Sequence, residues 1–468
     1  MRQRGRSMVI GAYLLLCILL GGSAQGVWSN LILQVAGLLI IVFAASVRRH
    51  EEEGSNAPAP YALLGLGLLV VLLQLIPLAP GIWTGLPGRS SLAGAYALLG
   101  EQPPALPISE APYQSVMTLF AAIPAIAVFL AVACLKPSPR WLAIAVIAGT
   151  VFAIVLGAIQ VSGGRDSWAY FYPISNGGAV GTFANRNHMG TLLIVSIPFG
   201  AAMLASSKSR RRGSLQGKVA IGVAAVILVA VGIALNGSLA AFALTIPVVI
   251  ASASVLPEAV RWRWIGLPIA VVALIGGAVL LATTPIATIT SETGAESSVE
   301  SRQVIWTLTS EAIADSFPVG TGLGTFQGVY RQHENPADVT TEYVNHAHND
   351  YLELALELGL PGMIVIVLVL AWWLVTAVSI WRSPLSTSFG RAATIASAAV
   401  LVHSAVDYPL RTAAISSIFA ACMALMAQRA RSERTTTSRT VPRRSASADW
   451  LIPRSSARRG ASAERASR

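Results

Sequence analysis

The chain has 468 residues, of which 54% are hydrophobic and only 12% charged, and its mean hydropathy is +0.64. Soluble globular proteins carry about 25% charged residues, so this composition excludes an ordinary soluble domain. Apolar stretches near the ~20 residues needed to cross a bilayer recur along the chain. They predict an all-α polytopic integral membrane protein.

We predict twelve membrane spans. They cover 8–24, 27–47, 61–79, 115–135, 141–161, 189–206, 218–236, 239–256, 263–283, 361–381, 391–407 and 411–428. The first stretch lacks a clear small-residue cleavage site and further spans follow, so we interpret it as a span rather than a signal peptide. The three cysteines all lie in apolar segments and predict neither a metal site nor a disulfide framework.

The net charge of +11 is unevenly distributed. Turns on one side of the predicted bundle hold 16 Lys and Arg residues, and the longer loops on the other side hold six. The positive-inside rule places the basic side in the cytoplasm, together with both termini. Three long loops, 80–114, 162–188 and 284–360, then face outward. We expect the Pro- and Gly-rich first loop to be irregular, and the third to form a small extramembrane layer with short helices.

Residues 429–468 carry 11 arginines and almost no large apolar residues, so we predict a disordered basic cytoplasmic tail after a membrane domain at 1–428. Such a tail can bind anionic lipid head groups, which makes membrane lipids a predicted partner. A solvated tail that only helps to fix the topology is the simpler alternative. We predict no nucleic-acid partner.

Four polar clusters interrupt the apolar chain, and all are predicted to lie on the outer side. The first, GTFANRNHMG at 181–190, precedes span six. Asn185 or Asn187 can cap the incoming helix, while Arg186 and His188 lie at the outer boundary of the membrane. Capping explains the asparagines but does not require the arginine and the histidine.

The second cluster is ESRQVIWTLTSEAIADSFPVGTGLGTF at 300–326. Its first part predicts an amphipathic helix. One face of that helix holds Arg302, Ile305, Trp306, Thr309 and Ile313. The glycines at 320, 322 and 324 form GxGxG, but no strand precedes them and no helix pattern opens on them, so this is not a dinucleotide-binding fingerprint. We expect a tight turn instead.

The third cluster opens the stretch NHAHNDYLELALELGLPG at 345–362. Asp350 followed by Glu353 is a capping signature, which predicts a short helix over 351–358. Gly359 suits the end of that helix, and Pro361 prevents its continuation.

His346, His348 and Asn349 then lie at the N-terminal mouth of this helix, where an anion can bind. An H-x-H pair offers only two ligands, whereas zinc usually needs at least three from the protein, so we predict no metal. Histidines that are merely hydrogen-bonded in an outer loop are the simpler alternative.

The fourth cluster is HSAVDYPLR at 403–411. His403 is predicted inside span eleven and Asp407 at its outer end. Ionisable groups at such depth are costly and face the protein interior. Asp407 could pair with Arg411 as a structural clamp.

Together the clusters offer Arg186, Arg302 and Arg411 as cations and His348 as a group that titrates near neutral pH. Arginine grips phosphate oxygens through two parallel donors. A lipid-linked phosphate or diphosphate is therefore the favoured substrate. The arginines would offset charge on a leaving diphosphate, and the histidine would accept a proton from an attacking hydroxyl.

In their order along the chain these motifs resemble the O-antigen ligase and O-antigen polymerase superfamily, over roughly 8–428. The most specific part is a His-Asn pair, nine residues and G-x-x-G, met here by His348, Asn349, Gly359 and Gly362. The DYPLR stretch also resembles the last outer turn of that family.

The resemblance implies a helical transferase of about twelve spans in a bacterial inner membrane, with its large periplasmic loop between spans nine and ten. Such enzymes move a glycan from an undecaprenyl diphosphate carrier to lipid A–core, to a growing polysaccharide or to protein, without a metal, nucleotide or other cofactor.

By this resemblance His348 is the catalytic histidine and Arg302 the main diphosphate contact. Further candidates for substrate binding are Arg186, His188, His346, Asn349, Asp407 and Arg411. One departure is Leu239 in NGSLAAFAL, where many members carry an arginine after the serine.

Two other classes of membrane protein fit the sequence less well. A transporter or flippase needs ionisable residues deep in several spans and broken helices near the midplane, whereas these spans are almost free of charge apart from His403. A non-catalytic scaffold would leave the outer arginines and histidines without a role. Ligase and polymerase need the same donor chemistry, so both remain open within the favoured class.

Overall fold

The computed structural model describes residues 3–23, 27–50, 58–172, 178–207, 212–256, 292–336 and 344–439. In chain order the helices up to the middle of the chain are α1 (Gln3–Leu20), α2 (Trp28–His50), α3 (Pro58–Gln74), α4 (Pro80–Trp83), α5 (Ser90–Leu99), α6 (Pro112–Ala121), α7 (Ile123–Leu135), α8 (Pro139–Ser162), α9 (Arg186–Ser206), α10 (Arg212–Asn236) and α11 (Leu239–Ala253). The remaining helices are α12 (Glu292–Ser316), α13 (Phe326–His333), α14 (Asp350–Arg382), α15 (Ser388–His403) and α16 (Ala413–Arg439), with a 3-10 turn at Pro409–Arg411. Within these ranges the only strands are β1 (Pro77–Leu78) and β2 (Leu106–Pro107), which pair antiparallel. The described chain is therefore helical apart from one short pair.

Within the described ranges, six helical segments are long and apolar enough to cross a membrane. They are Gln3–Leu20, Trp28–Val47, Pro112–Leu135, Pro139–Ser162, Arg186–Ser206 and Asp350–Arg382. Shorter apolar helices lie at Pro58–Gln74, Ala220–Asn236, Leu239–Ala253 and Ala413–Gln428, and α15 lies at predicted span eleven. Predicted span nine, 263–283, falls outside the described residues. The chain is thus an integral membrane protein, and a total of twelve spans stays a prediction.

Helix α9 lies at the centre of the bundle. It packs against α8, α10, α11 and α15, and much more of it is buried than of α2. Asn185 caps it by accepting the backbone N–H of Asn187, so the predicted cap is confirmed. Because α9 is enclosed on several sides, the polar residues of its first turn have a fixed position.

A second, smaller apolar core is separate from the main core of the bundle. It joins α12, α13 and the start of α14 through Ile305, Ala312, Phe326, Val329, Tyr330, Ala347 and Leu356. Thr309 and Ile305 face inward on α12, as the predicted amphipathic pattern requires. The third outer loop therefore has a packed interior in the part that the structure describes.

The glycines after Pro318 form the tight turn that was predicted. Gly320, Gly322 and Gly324 have φ of 79°, 111° and 79°, values that side chains with a Cβ rarely adopt. A Cβ on Gly320 would lie 2.5 Å from the backbone nitrogen of Gly359. The turn thus packs backbone to backbone on α14.

Several local predictions are wrong. The first outer loop is not irregular, because it contains α4, α5 and the β1–β2 pair. The helix predicted to end at Leu358 instead bends at Gly359, whose φ of 59° and ψ of −152° are not helical, and then continues to Arg382. Asn349, not Asp350, is its cap. Helix α16 extends to Arg439. The disorder expected over 429–468 stays a prediction, and 440–468 lies outside the described residues.

Gly359→Ala should destabilise the protein by about 1–3 kcal/mol, because alanine is strained at this φ and ψ and its Cβ would press on the carbonyl oxygen of Pro318. The control is Gly328→Ala in α13, where an added Cβ meets nothing within 4 Å and the helix should gain about 0.5–1 kcal/mol. Thermal unfolding in detergent measures both. Equal midpoints for the two variants would contradict the role assigned to the bend.

Candidate active site

The residues 345–349, here called the histidine loop, precede α14 and are held from both sides. Asn349 accepts the backbone N–H groups of Tyr351 and Leu352 at 3.0 and 3.1 Å. On the other side, the indole N–H of Trp306 donates to the carbonyl oxygen of Ala347 at 2.9 Å. His348 itself has φ of 49°, an uncommon conformation for a residue other than glycine. Such a position persists where surrounding contacts enforce it, as they do here.

Three histidine rings contact the ring of Tyr408. Its ring centroid lies 4.1 Å from that of His346, 4.8 Å from His188 and 5.0 Å from His348. The amide groups of Asn185 and Asn345 approach its hydroxyl, each at 3.4 Å. Burial and the neighbouring Asp407 raise the pKa of Tyr408 to about 12, so the hydroxyl stays protonated near neutral pH. Tyr408 therefore joins the loop before α9 to the histidine loop.

Asp407 lies at the centre of this cluster and is fully buried. Its Oδ1 is 3.4 Å from Nδ1 of His348 and 3.9 Å from Nε2 of His188, and it accepts the backbone N–H of Tyr408 at 2.8 Å. Burial alone raises the pKa of this carboxyl, but His348, His188 and His403 outweigh burial and hold the pKa well below its usual range. Asp407 is thus ionised at neutral pH.

Of the three histidines around Asp407, His348 is the one whose side chain reaches the surface. Its side chain is 25% exposed, whereas that of His188 is 2% exposed. A carboxylate behind one ring nitrogen favours the tautomer whose other nitrogen is free to accept a proton. The pair of Asp407 and His348 therefore has the arrangement of a general base and the group that orients it.

Arg411 does not pair with Asp407, so the predicted clamp is wrong. Its guanidinium lies 2.9 Å from Glu357, 3.4 Å from Glu353 and 3.7 Å from Asp350. Burial alone would lower its pKa, but these carboxylates outweigh burial and raise the pKa above its ordinary value. Arg411 is thus the cation that compensates three acidic residues on the first turns of α14.

Glu353 connects the arginine to the histidine loop. Its Oε1 lies 2.8 Å from Nδ1 of His346, and its Oε2 accepts the backbone N–H of Ala347 at 2.9 Å. Glu357 in turn accepts the backbone N–H of Gly324, at 2.8 Å. Glu353 and Glu357 lie one turn apart on α14, and both bind Arg411.

The other predicted site residues lie at the same end of the bundle. Arg302 is half-buried on α12, one turn before Trp306, and within electrostatic reach of His403. His403 pairs with Thr191 of α9 at 2.7 Å. Arg186 begins α9 and is exposed, and its carbonyl oxygen accepts the amide of Asn236 at 2.8 Å.

The sequence has Ser238 and Leu239 where the resemblance leads us to expect Ser-Arg. Ser238 caps α11 and donates to the side-chain oxygen of Asn187 at 2.7 Å. Leu239, which follows it, is 68% exposed. In the described ranges, no group of three or more His, Cys, Asp or Glu side chains is arranged to hold a metal ion.

Two features of the site went unrecognised in the sequence. Tyr408 of the DYPLR stretch is one of them, although an aromatic residue beside a buried aspartate is a usable signal. The contact between His348 and Asp407 was also missed, because the two residues lie far apart along the chain and neither periodicity nor spacing relates them.

The structure thus defines a polytopic helical membrane protein with a buried Asp-His cluster at one end of its bundle. Residues 223–367 match the family model described as O-antigen ligase. This segment contains Arg302 and His348 but not Arg186, His188 or Asp407. The resemblance inferred from the sequence is confirmed over these residues, and the family suggests a glycosyltransferase-like enzyme that uses lipid-linked glycans. A search of curated proteins gives no match.

Arg411→Gln should destabilise the protein by about 3–5 kcal/mol, because it leaves buried carboxylates without their cation. The measurement is the midpoint of thermal unfolding in detergent. Arg165→Gln, an exposed arginine in the loop after α8, serves as the control and should leave the midpoint unchanged. An unchanged midpoint for Arg411→Gln would show that the carboxylates are not charged in the folded protein.

Proposed function

We propose that the protein is a periplasm-facing glycosyltransferase of a bacterial inner membrane, with both termini in the cytoplasm and twelve spans. It transfers a glycan from an undecaprenyl diphosphate-linked donor to lipid A–core or another surface polysaccharide. The family match over 223–367 supports this class of reaction. The observation that carries the proposal is the partly exposed His348 backed by the buried carboxylate of Asp407.

In this mechanism His348 accepts the proton of an acceptor hydroxyl as the oxygen attacks the anomeric carbon of the donor sugar. The bond between that carbon and the diphosphate oxygen breaks, and the diphosphate leaves with the electron pair. Arg302 stabilises the charge that develops on the leaving group through paired hydrogen bonds. Asp407 stabilises the imidazolium and holds its ring.

The remaining predicted site residues fall into those that can contact the substrate and those that support the site. Arg186 is exposed at the same end of the bundle and is proposed as a second contact to the donor. Arg411 and His188 have side chains only 11% and 2% exposed, so we assign them to support of the site rather than to contact with substrate. Asn349 and His346 are held by helix capping and by Glu353, and we assign them to positioning of His348.

A polymerase would use the same donor chemistry with a growing chain as acceptor. The surface glycans of a deletion strain separate the two activities. Long lipid-linked chains that no longer reach lipid A–core identify a ligase, and single repeat units in place of long chains identify a polymerase. Flux of the lipid-linked glycan across liposomes without transfer would instead identify a transporter.

His348→Ala should lower the rate of glycan transfer in proteoliposomes by roughly 10²–10⁴-fold through loss of the base, and Arg302→Ala by roughly 10²–10³-fold through loss of charge stabilisation. The matched controls are His333→Ala and Arg165→Ala, which replace a partly exposed histidine of α13 and an exposed arginine, both outside the cluster. Full transfer by either site variant, at normal protein level, would remove the proposed chemistry.

Asp407→Asn should reduce transfer by roughly 100-fold or more at neutral pH, because it keeps the shape of the side chain and removes the charge that orients His348. Asp315→Asn is the matched control, since Asp315 lies 3.2 Å from His333 in a more exposed histidine-carboxylate pair. If both variants transfer at the rate of the unchanged protein, Asp407 has no part in the reaction.

A further inference from the structure

The chain between α3 and α6 folds into a hairpin whose base is firmly fixed. The strands Pro77–Leu78 and Leu106–Pro107 pair there. Between them, the buried indole of Trp83 donates to the carbonyl oxygen of Pro104 at 2.8 Å. Arg89 donates to the carbonyl oxygen of Ile108 and lies 3.8 Å from Glu110. These contacts hold the part of the hairpin from which α5 extends.

Helix α5, Ser90–Leu99, is unusual because it is apolar and has no buried residue. Its sequence, SSLAGAYALL, contains no charged side chain. Leu98 and Leu99 are 91% and 72% exposed. In water, an uncharged ten-residue helix with its leucines exposed would have no favourable environment for them. Something apolar must cover this helix.

The neighbouring helices indicate what that environment is. The hairpin leaves the end of α3 and returns to the start of α6, two helices with exposed apolar side chains. On α3 and just after it these are Leu69, Leu72, Leu73 and Ile76, and on α6 they are Tyr113, Met117 and Phe120. An integral membrane protein presents such a surface to lipid, and α5 continues that surface at one end of it.

We propose that α5 lies in the interface of the outer leaflet, with Leu98 and Leu99 inserted among the lipid acyl chains. Tyr96, which meets the edge of the Trp83 ring at 6.3 Å, has the amphipathic character favoured at that depth. The partner is the bilayer surface itself, so this inference rests on the proposed orientation in the membrane but not on the proposed glycosyl transfer.

The base of the hairpin connects this contact to the outer segments that carry Arg302. Glu110 donates its backbone N–H to Thr321 at 2.8 Å, and the hydroxyl of Ser115 donates to the carbonyl oxygen of Leu323 at 2.6 Å. An anchored α5 therefore fixes the height of the GxGxG turn, and of the helices joined by it, relative to the lipid head groups.

The test places the environment-sensitive fluorophore NBD on Leu98→Cys in the full chain, with the three native cysteines replaced by alanine. The protein is reconstituted in phosphatidylcholine nanodiscs with and without lipids that carry a doxyl quencher near the head group. Val367→Cys, on a lipid-exposed face of α14, is the buried-in-lipid reference. Gln332→Cys, exposed on the polar helix α13, is the aqueous reference.

We expect quenching at position 98 to be closer to that at 367 than to that at 332, with blue-shifted emission. Quenching equal to that at 332 overturns the proposal, because the helix then lies in water. Blue-shifted emission without quenching also overturns it, since protein rather than lipid then covers α5. Leu99→Cys repeats the measurement if the first variant does not give monodisperse protein.

Discussion

The geometry of the candidate active site depends on one buried charge, the carboxylate of Asp407. Three imidazoles surround it, and it belongs to the short turn between two helices of the bundle. A buried carboxylate is tolerated only where charges or hydrogen bonds compensate it. The same requirement that stabilises Asp407 therefore draws His188 of α9 and His348 of the outer loop towards one point.

A second compensated charge lies directly beside the first. Arg411 follows Asp407 by four positions, yet it turns to α14 and meets Glu353 and Glu357. Glu353 also binds His346, and both His346 and His348 pack on Tyr408. The two networks share Tyr408 and the histidine loop. The ring of His348 is therefore fixed by its contact with Tyr408 and by the carboxylate of Asp407.

The segments that carry Arg302 and His348 are tied to the bundle by backbone packing as well as by side-chain hydrogen bonds. The GxGxG turn lies on the bend at Gly359, and only glycine fits on either side of that contact. Trp306 adds a bond from α12 to the histidine loop. These contacts place Arg302 and His348 on one connected scaffold, although 45 residues separate them and seven of those lie outside the described part of the chain.

The sequence by itself determined the features that local chemistry controls. Apolar stretches located the membrane helices, Asn185 was recognised as a cap, and the glycines at 320, 322 and 324 were recognised as a turn. The amphipathic pattern also gave the inward face of α12 correctly, because helical periodicity follows from backbone geometry alone.

Only the tertiary structure decided which charges meet. Asp407 was paired with the nearby Arg411 because sequence proximity was the only guide, whereas the folded protein pairs it with His348 and His188. The order within the first outer loop was likewise missed, since contacts such as Trp83 with Pro104 join residues that no periodic pattern relates. The partner of a buried charge depends on how distant helices pack. The contacts that stabilise such a pair form only when the chain has folded.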